Sequence, residues 1–417
     1  MKIQVNGRLR LKKISGESVP CTAFRRHDDR YIYMACPWGP KGGGMFKVVD
    51  YLIQGQSPCR SVGAAELRHL DTRGGGSATF SLLVLATALI KLVRGRISGR
   101  LCGVHVNVAE RLSLFRKSAV IILSRALGMP VVLHLHAQLH HSYRRLWWPV
   151  QAVVRWVFSL ASGCVVLGAN ARHFVIDELR VPPDRVDIVL NGVPEPVEVR
   201  RARRTGSAQR VLFLGNLSKL KGVSDILEAL AMPELDTSRL EVIFAGGGDI
   251  PAYRAQAKDL HVDDVVRFQG WVDQHEAAQL MACADVLVLP SYVEGLPLVI
   301  LEALANGVAV VCSPVGEIPS VLTDGVNACF VRPGDVRGIA ACLQRLLEQP
   351  ALMESLEKNG RALYDEKFSL TRFFRSVACI HQRYFGTAGE PLRSDPDDVA
   401  VTGEFGARTS ANTSAGY

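Results

Sequence analysis

The chain has 417 residues, 48% of them hydrophobic, with 49 Lys and Arg against 40 Asp and Glu for a formal charge of +9. That length is two or three domains' worth, with enough apolar residues to fill their cores. Ten cysteines are scattered from Cys21 to Cys379 without a C-x-x-C pair, which excludes a disulfide or zinc framework and suits reduced thiols. The basic balance suits nucleic acid, a membrane surface or an anionic substrate. No RNA- or DNA-binding signature accompanies it, so the expected partners are an anionic membrane surface and phosphate ligands, not nucleic acid.

Residues 1–29 form a polar, basic extension holding Lys2, Arg8, Arg10, Lys12, Lys13, Arg25 and Arg26. It has no apolar core of a secretory signal and is expected to be a disordered arm; attraction to anionic lipid is a second reading. A first strand follows at 30–37, then a loop at 38–44 ending in Gly42, Gly43 and Gly44, then an amphipathic helix at 45–53. Glycines between strand and helix let backbone N–H groups approach an anion. The spacing is not G-x-G-x-x-G. A strand end and loop at 67–76 lead into an apolar helix reaching Val93, and 101–108 is the next strand. The apolar stretch 78–90 is too short to span a bilayer, which takes ~20 residues. Stretch 146–168 is long enough but carries Pro149 and Arg155, so both read as buried or interfacial helices.

Arg116 and Lys117 stand in or just before a helix predicted at 118–127. Their charges suit an acceptor diphosphate, since guanidinium forks fit phosphate; a solvated helix face is the alternative. Residues 131–137 form a strong strand on which the period of two puts His134 and His136 on one face. Three readings stand for these histidines: a metal pair, a sugar-contacting cleft histidine, or structural packing. No carboxylate-rich partner motif accompanies them. An aromatic-rich helix at 147–160, a strand at 164–167 and a closing segment at 186–193 complete this half. Residues 195–209, rich in Pro, Arg and small polar residues, read as a linker.

The α/β pattern then restarts. A strand at 210–215, a lysine-bearing loop at 215–222 and a helix at 223–230 make an anion site. A strand follows at 240–245, before the glycines 246–248, and a strand with its loop at 265–272. An apolar run at 284–289 reads as a buried parallel strand. After it come a loop shaped by Gly295 and Pro297, a helix at 298–305 capped by Gly307, and a strand at 308–312. Glu294 lies in the loop and Glu302 one turn inside the helix, with seven residues between them. Open α/β sheets bind phosphorylated ligands at such a strand-to-helix turn. Helices are expected at 338–347 and 368–385. The tail 386–417, rich in Gly, Ser, Asp and Thr, reads as disordered; its Asp395-Pro-Asp397 spells D-x-D by chance.

The run Glu294-Gly-Leu-Pro-Leu-Val-Ile-Leu-Glu302-Ala-Leu-Ala-Asn-Gly307 resembles the E-x-seven-E signature of retaining glycosyltransferases of family 4. The resemblance covers about 31–385 and is strongest over 210–335. It implies the GT-B fold: two Rossmann-like α/β domains facing each other across a cleft, with a C-terminal helix crossing back. The first domain would be 30–194, completed by helix 368–385, and the second, nucleotide-sugar domain 210–367. By resemblance, Glu294, His136 and Lys221 are the catalytic candidates. Glu302 would hold ribose hydroxyls and Glu294 the hydroxyls of the transferred sugar. Lys221, with backbone N–H groups at Gly295 and Leu296, would hold the diphosphate. Asn216 stands where the family has arginine, and Lys219 is an extra cation nearby. Gly42, Gly43 and Gly44 would touch donor phosphate or acceptor, and Gly270, Trp271 and Val272 would bound the base. The implied donor is a UDP- or GDP-linked sugar, with neither metal nor further cofactor. The implied acceptor is a lipid-diphosphate-linked saccharide of bacterial surface-polysaccharide synthesis, met by a peripheral enzyme at the inner face of the cell membrane. The alternatives are a nucleotide-sugar epimerase or hydrolase, a non-catalytic binding subunit, and a metal-dependent hydrolase built on His134 and His136.

Overall fold

A computed structural model of the chain describes residues 29–38, 43–56, 65–109, 112–196 and 209–387. The basic extension up to residue 28, Gly42, linker residues 197–208 and the tail from 388 with its D-x-D lie outside the described residues.

The first sheet holds β1 (Tyr31–Cys36), β2 (Glu66–Asp71), β3 (Leu101–Val108), β4 (Val131–Leu135), β5 (Gly163–Val166) and β6 (Val186–Ile188). Its order is β2-β1-β3-β4-β5-β6, and every pairing is parallel. Helices α1 (Gly44–Gln54), α2 (Ala78–Ile97), α3 (Leu112–Ala126), α4 (Leu139–Arg144), α5 (Trp148–Ser159) and α6 (Ala169–Asp177) fill the crossovers. The second sheet holds β7 (Gln209–Leu214), β8 (Leu240–Ala245), β9 (Val266–Gly270), β10 (Val286–Leu289), β11 (Ala309–Cys312) and β12 (Cys329–Phe330), ordered β12-β11-β10-β7-β8-β9. Around it lie α7 (Val223–Leu230), α8 (Ile250–Asp259), α9 (Gln274–Cys283), α10 (Leu298–Ala305), α11 (Ile318–Val321), α12 (Val336–Glu348), α13 (Pro350–Leu363) and α14 (Leu370–Phe385).

The strands are apolar on both faces because helices cover both. Every residue of β4, β10 and β11 is buried. Along β1 the period of two sorts side chains between two cores. Ile32, Met34 and Cys36 join Val48, Val49 and Leu52 of α1 in a core continuous with that of the second sheet. Tyr31 and Ala35 face the other way, toward Ala88 and Leu92 of α2, Ile121 of α3 and Phe158 of α5.

The chain returns at its end. Val193 N–H donates to the Phe368 carbonyl at 3.0 Å, and the Tyr364 hydroxyl to the Val193 carbonyl at 3.1 Å. Then α14 lies on the first sheet, with Phe385 packed over Gly103 and Tyr384 over Gly163. One helix departs clearly from its expected start. Helix α3 begins at Leu112 instead of 118, so Arg116 and Lys117 sit inside it; Leu114 and Lys117 both turn inward. Strand β6 stops at Ile188; Val189 N–H still donates to the Val166 carbonyl at 2.9 Å, and the chain then leaves the edge and meets Ser369, just before α14, at Val193.

Candidate active site

The turn after β10 gathers the charged candidates. Lys221, in the short 3₁₀ turn after β7, donates to Glu294 Oε1 at 2.5 Å. The Ser291 hydroxyl donates to the same oxygen at 2.8 Å. Glu294 is only 8% exposed, so burial makes both partners necessary to it. The two loops are joined through the backbone, Tyr292 N–H donating to the Leu220 carbonyl at 2.9 Å. Asn216 and Lys219 are exposed nearby on the 215–221 loop. Gly270 ends β9 and Trp271 and Val272 follow it, three strands away from β10 and so about 14 Å along the sheet. Trp271 is exposed there. Leu296 is buried directly before α10.

Glu302, a turn into α10, faces the first sheet's α1. Lys47 Nζ lies 3.0 Å from its Oε1. Gly43 caps α1, and a Cβ on Gly44 would stand 3.7 Å from Leu298. The N-termini of α1 and α10 thus oppose each other across the cleft, an arrangement that offers positive dipole ends to an anion.

Gly295 is where the halves approach most closely at this turn: a Cβ there would stand 2.8 Å from the His136 carbonyl oxygen. His136 N–H continues the β3–β4 ladder to the Val108 carbonyl at 2.9 Å. Its Nε2 lies 2.8 Å from Asn107 Oδ1. Behind it runs a row of histidines. His136 stacks on His134 with centroids 4.0 Å apart, His134 Nδ1 lies 3.2 Å from His105 Nε2, and His105 Nδ1 lies 2.8 Å from Nε2 of His381 on α14. Burial pushes the His136 and His381 imidazoles down to about 3; for His136 the nearness of His105 and Lys117 adds to it. His105 and His134 are pushed well down for the same first reason. His134 and His136 therefore stack instead of converging on a point. Among the described residues no group of three or more His, Cys, Asp or Glu is arranged to hold a metal.

Arg116 and Lys117 do not form a two-pronged surface clamp. Lys117 is 1% exposed; its ammonium donates to the Asn107 carbonyl and lies 3.7 Å from Met45 Sδ. Burial brings its pKa down to about 7. Arg116 is half-buried, its Nε enclosed without a partner among the described residues.

A cavity of ≈ 540 Å³ opens next to Gly295 and His136, lined by Gln138, His140, Arg144 and His173 on the first half and by 314–317 on the second. Its floor is a bridge that sequence reasoning missed. Buried Glu317 accepts from Ala171 N–H at 2.6 Å and Asn170 N–H at 3.3 Å, at the N-terminus of α6. Asn170 Nδ2 donates to the Gly316 carbonyl at 2.8 Å. A carboxylate on the positive end of a helix fixes the two halves together at this edge. Ser291, Asn107, Lys47 and Glu317 are the four site residues that motif reading passed over. Only Asn107 carried a signal, standing near the end of the strand read at 101–108.

The chain is similar to known proteins in sequence and in fold. Residues 198–363 match the family model described as glycosyl transferases group 1. The chain is 27% identical over 278 residues to the MMP alpha-(1->4)-mannosyltransferase of Mycolicibacterium hassiacum, covering 62% of this chain and 66% of that protein. It is 35% identical over 200 residues to the D-inositol 3-phosphate glycosyltransferase of Frankia alni, covering 44% and 49%. The match thus spans about half to two thirds of these relatives. Among solved structures, Anabaena HepE in complex with UDP-glucose superposes with a TM-score of 0.66 at 17% identity, over 85% of this chain and 99% of that one. Sucrose-phosphate synthase of Thermosynechococcus elongatus gives 0.70 at 18%, over 86% and 100%. The fold is the two-domain α/β GT-B fold, with two parallel six-stranded sheets and a helix that returns to the first.

Proposed function

We propose that the protein is a retaining glycosyltransferase that moves a hexose from a UDP- or GDP-linked donor to a lipid-diphosphate-linked saccharide, in surface-polysaccharide synthesis at the inner face of the cell membrane. The observation that carries the reading is the turn after β10, where Glu294, Lys221 and Ser291 meet at the N-terminus of α10, opposite α1. In this reading the diphosphate lies between Lys221 and the α10 N-terminus. Lysine and helix dipole meet the charge that develops on the leaving phosphate, so the reaction needs no divalent cation. Glu302 takes the ribose hydroxyls and Glu294 the hydroxyls of the sugar being transferred. His136, neutral at working pH, accepts or donates a hydrogen bond at the sugar. The acceptor occupies the ≈ 540 Å³ cavity beside His136 and Gly295. No residue is assigned as nucleophile.

The test begins with a thermal-shift screen of nucleotide sugars; a ligand at a hundredfold excess over its Kd adds ~2.7 kcal/mol. Transfer to a lipid-linked saccharide is then followed by mass spectrometry, and the anomeric configuration by NMR. Donor consumed to completion without an acceptor would support an epimerase or hydrolase instead. Asn216, uncharged where the resembling family has arginine, favours one second reading, a non-catalytic nucleotide-sugar-binding subunit. Its mark is donor binding without turnover.

A further inference from the structure

Helices α2, α3 and α5 lie side by side on the outer face of the first sheet, and their surface is unlike the rest of the molecule. Each has an inner row in the core: Leu92 on α2, Ile121 on α3, Phe158 on α5. Each also has an outer apolar row. Leu82, Leu83 and Ile90 are exposed on α2, Phe115 on α3, and Trp148 and Trp156 on α5, with Trp147 just before it. Trp147 and Trp148 are 71% and 69% exposed. A helix apolar all the way round belongs in a protein core or against lipid, and α2 is largely apolar on both its buried and its open side up to Ile90, before Lys91, Arg94 and Arg96. Aromatic side chains with a polar edge favour the boundary between water and lipid.

Charge is distributed to match. Between Asp71 and Asp177 the sequence has thirteen Lys and Arg and one acidic residue, Glu110. The segment's net +12 exceeds the +9 of the whole chain, so the remainder is net acidic. Arg73, Lys91, Arg94, Arg96, Arg125 and Arg145 are exposed on or beside the three helices. Position matters as well. Helices of a parallel crossover run opposite to the strands, so their N-termini lie at the strand ends that carry His136. Leu82, Leu83, Phe115, Trp147 and Trp148 all stand in or beside these first turns. The apolar first turns, with Arg73 and Arg145 just before them, therefore border the cavity edge of the sheet, while Lys91, Arg94, Arg96 and Arg125 stand toward the other end of their helices on the same face. No described helix is long and apolar enough to cross a membrane.

We propose that the outer face of α2, α3 and α5 docks on an anionic lipid bilayer, lying in its interface without spanning it. Exposed tryptophan and leucine enter the headgroup boundary, and the basic residues sit against lipid phosphates. This deepens the reading of a lipid-linked acceptor, because the docked face presents the cavity edge to the surface where such an acceptor is anchored. It does not depend on any sugar transfer, and vesicle binding is measured with no donor present.

The full chain is floated with phosphatidylglycerol-containing vesicles and with phosphatidylcholine vesicles, at low and high salt. The expected result is binding to the anionic vesicles at low salt, at least tenfold weaker in high salt and on neutral vesicles. Brominated lipid is expected to quench tryptophan fluorescence. Leu82→Ser with Leu83→Ser, and separately Trp147→Ser with Trp148→Ser, are expected to lower binding at least tenfold. Trp147→Phe with Trp148→Phe is expected to retain it. These side chains are exposed, and circular dichroism and melting curves identify any variant that has lost its fold. Parent protein that ignores anionic vesicles overturns the proposal. So do folded serine variants that bind as well as the parent, which would place docking elsewhere on the chain. A parent that forms a dimer in ultracentrifugation and binds no vesicle, with serine variants monomeric, assigns the face to a second copy and also overturns it. Vesicle binding without transfer to any lipid-linked saccharide would remove the acceptor assignment and leave the docking face standing.

Discussion

The two halves of the molecule share an architecture and differ in nearly everything else. In the described residues from 209 to 387 the sequence has sixteen Lys and Arg against twenty-two Asp and Glu, whereas 72–176 has thirteen against one. The second half holds its loops by close backbone contact and ion pairs: Lys221 on Glu294, Leu217 N–H on the Gly247 carbonyl, Glu317 N–H on the Gly295 carbonyl. The first half places neutral buried histidines and a buried lysine beneath its cleft and apolar side chains on its outer face. On the proposed reading, the second half holds one charged ligand in one geometry. The first is built around a surface and a cavity. On the proposed reading, strength of motif follows that division, because a diphosphate demands the same loop wherever it binds, while an acceptor does not.

The largest expected effects come from breaking the second half's charge cluster. Lys221→Ala would remove the proposed charge-assisted bond to phosphate, worth ~1.5–3 kcal/mol, and leave the enclosed Glu294 carboxylate with Ser291 alone. Donor affinity measured by calorimetry is expected to fall by about ten- to a hundredfold. Glu302→Ala is expected to weaken donor binding as well. Glu294→Ala is expected to lower turnover more than it lowers the melting temperature. Asn216→Arg is expected to be tolerated or to tighten donor binding. Unchanged affinity in Lys221→Ala would mean the diphosphate is held elsewhere.

Acid tests the first half. His105, His134 and His381 are buried, and their folded pKa values lie below the ordinary 6.5. The folded state therefore binds fewer protons than the unfolded state. Its stability is full above about pH 6.5 and declines as pH falls below that, by roughly 1 kcal/mol per histidine for each pH unit. Protonating His134 would also bury a second N–H, since its Nε2 has no partner among the described residues. Urea unfolding at pH 7.5 and 5.5 is expected to show the first sheet, with α14 on it, giving way earlier at the lower pH. Equal stability at both values would show that the histidine row is solvated or relaxes on protonation.

Much of the fold was legible because its signals are local. Helix α10 was expected at 298–305 and spans Leu298–Ala305; α7 was expected at 223–230 and spans Val223–Leu230. Apolar runs bounded by glycine and proline leave little choice there. Helix α3 was misplaced because Arg116 and Lys117 look like a polar boundary, yet Lys117 turns inward to the Asn107 carbonyl. A lysine buried by tertiary contacts leaves no periodic mark in sequence. The same holds for the site. Glu294 and Lys221 stand in motifs, but their contact depends on how β10 and β7 pair in the sheet. Lys47 and Glu317 act from one half on the other, and such contacts become visible only when the halves are placed together.

The smallest expected effect sharpens that last point. Lys47 and Glu302 pair across the cleft with side chains 27% and 18% exposed, so solvent screens much of their attraction. Lys47→Ala is expected to change stability by under ~1 kcal/mol and donor binding by only a few-fold, because Glu302 stays free to accept ribose hydroxyls. Abolished transfer in this variant would make Lys47 part of the chemistry instead of a bridge. Lys47→Glu asks more of the same contact by setting two carboxylates against each other at the mouth of the cleft. The repulsion acts over the Debye length, about 30 Å at 0.01 M salt but about 8 Å at 0.15 M. Small-angle scattering of Lys47→Glu is therefore expected to show a larger radius of gyration at low salt, returning to that of the parent at physiological salt. A radius unchanged at low salt would show that the Glu317 bridge to α6 and the seat of α14 hold the halves together without the lysine.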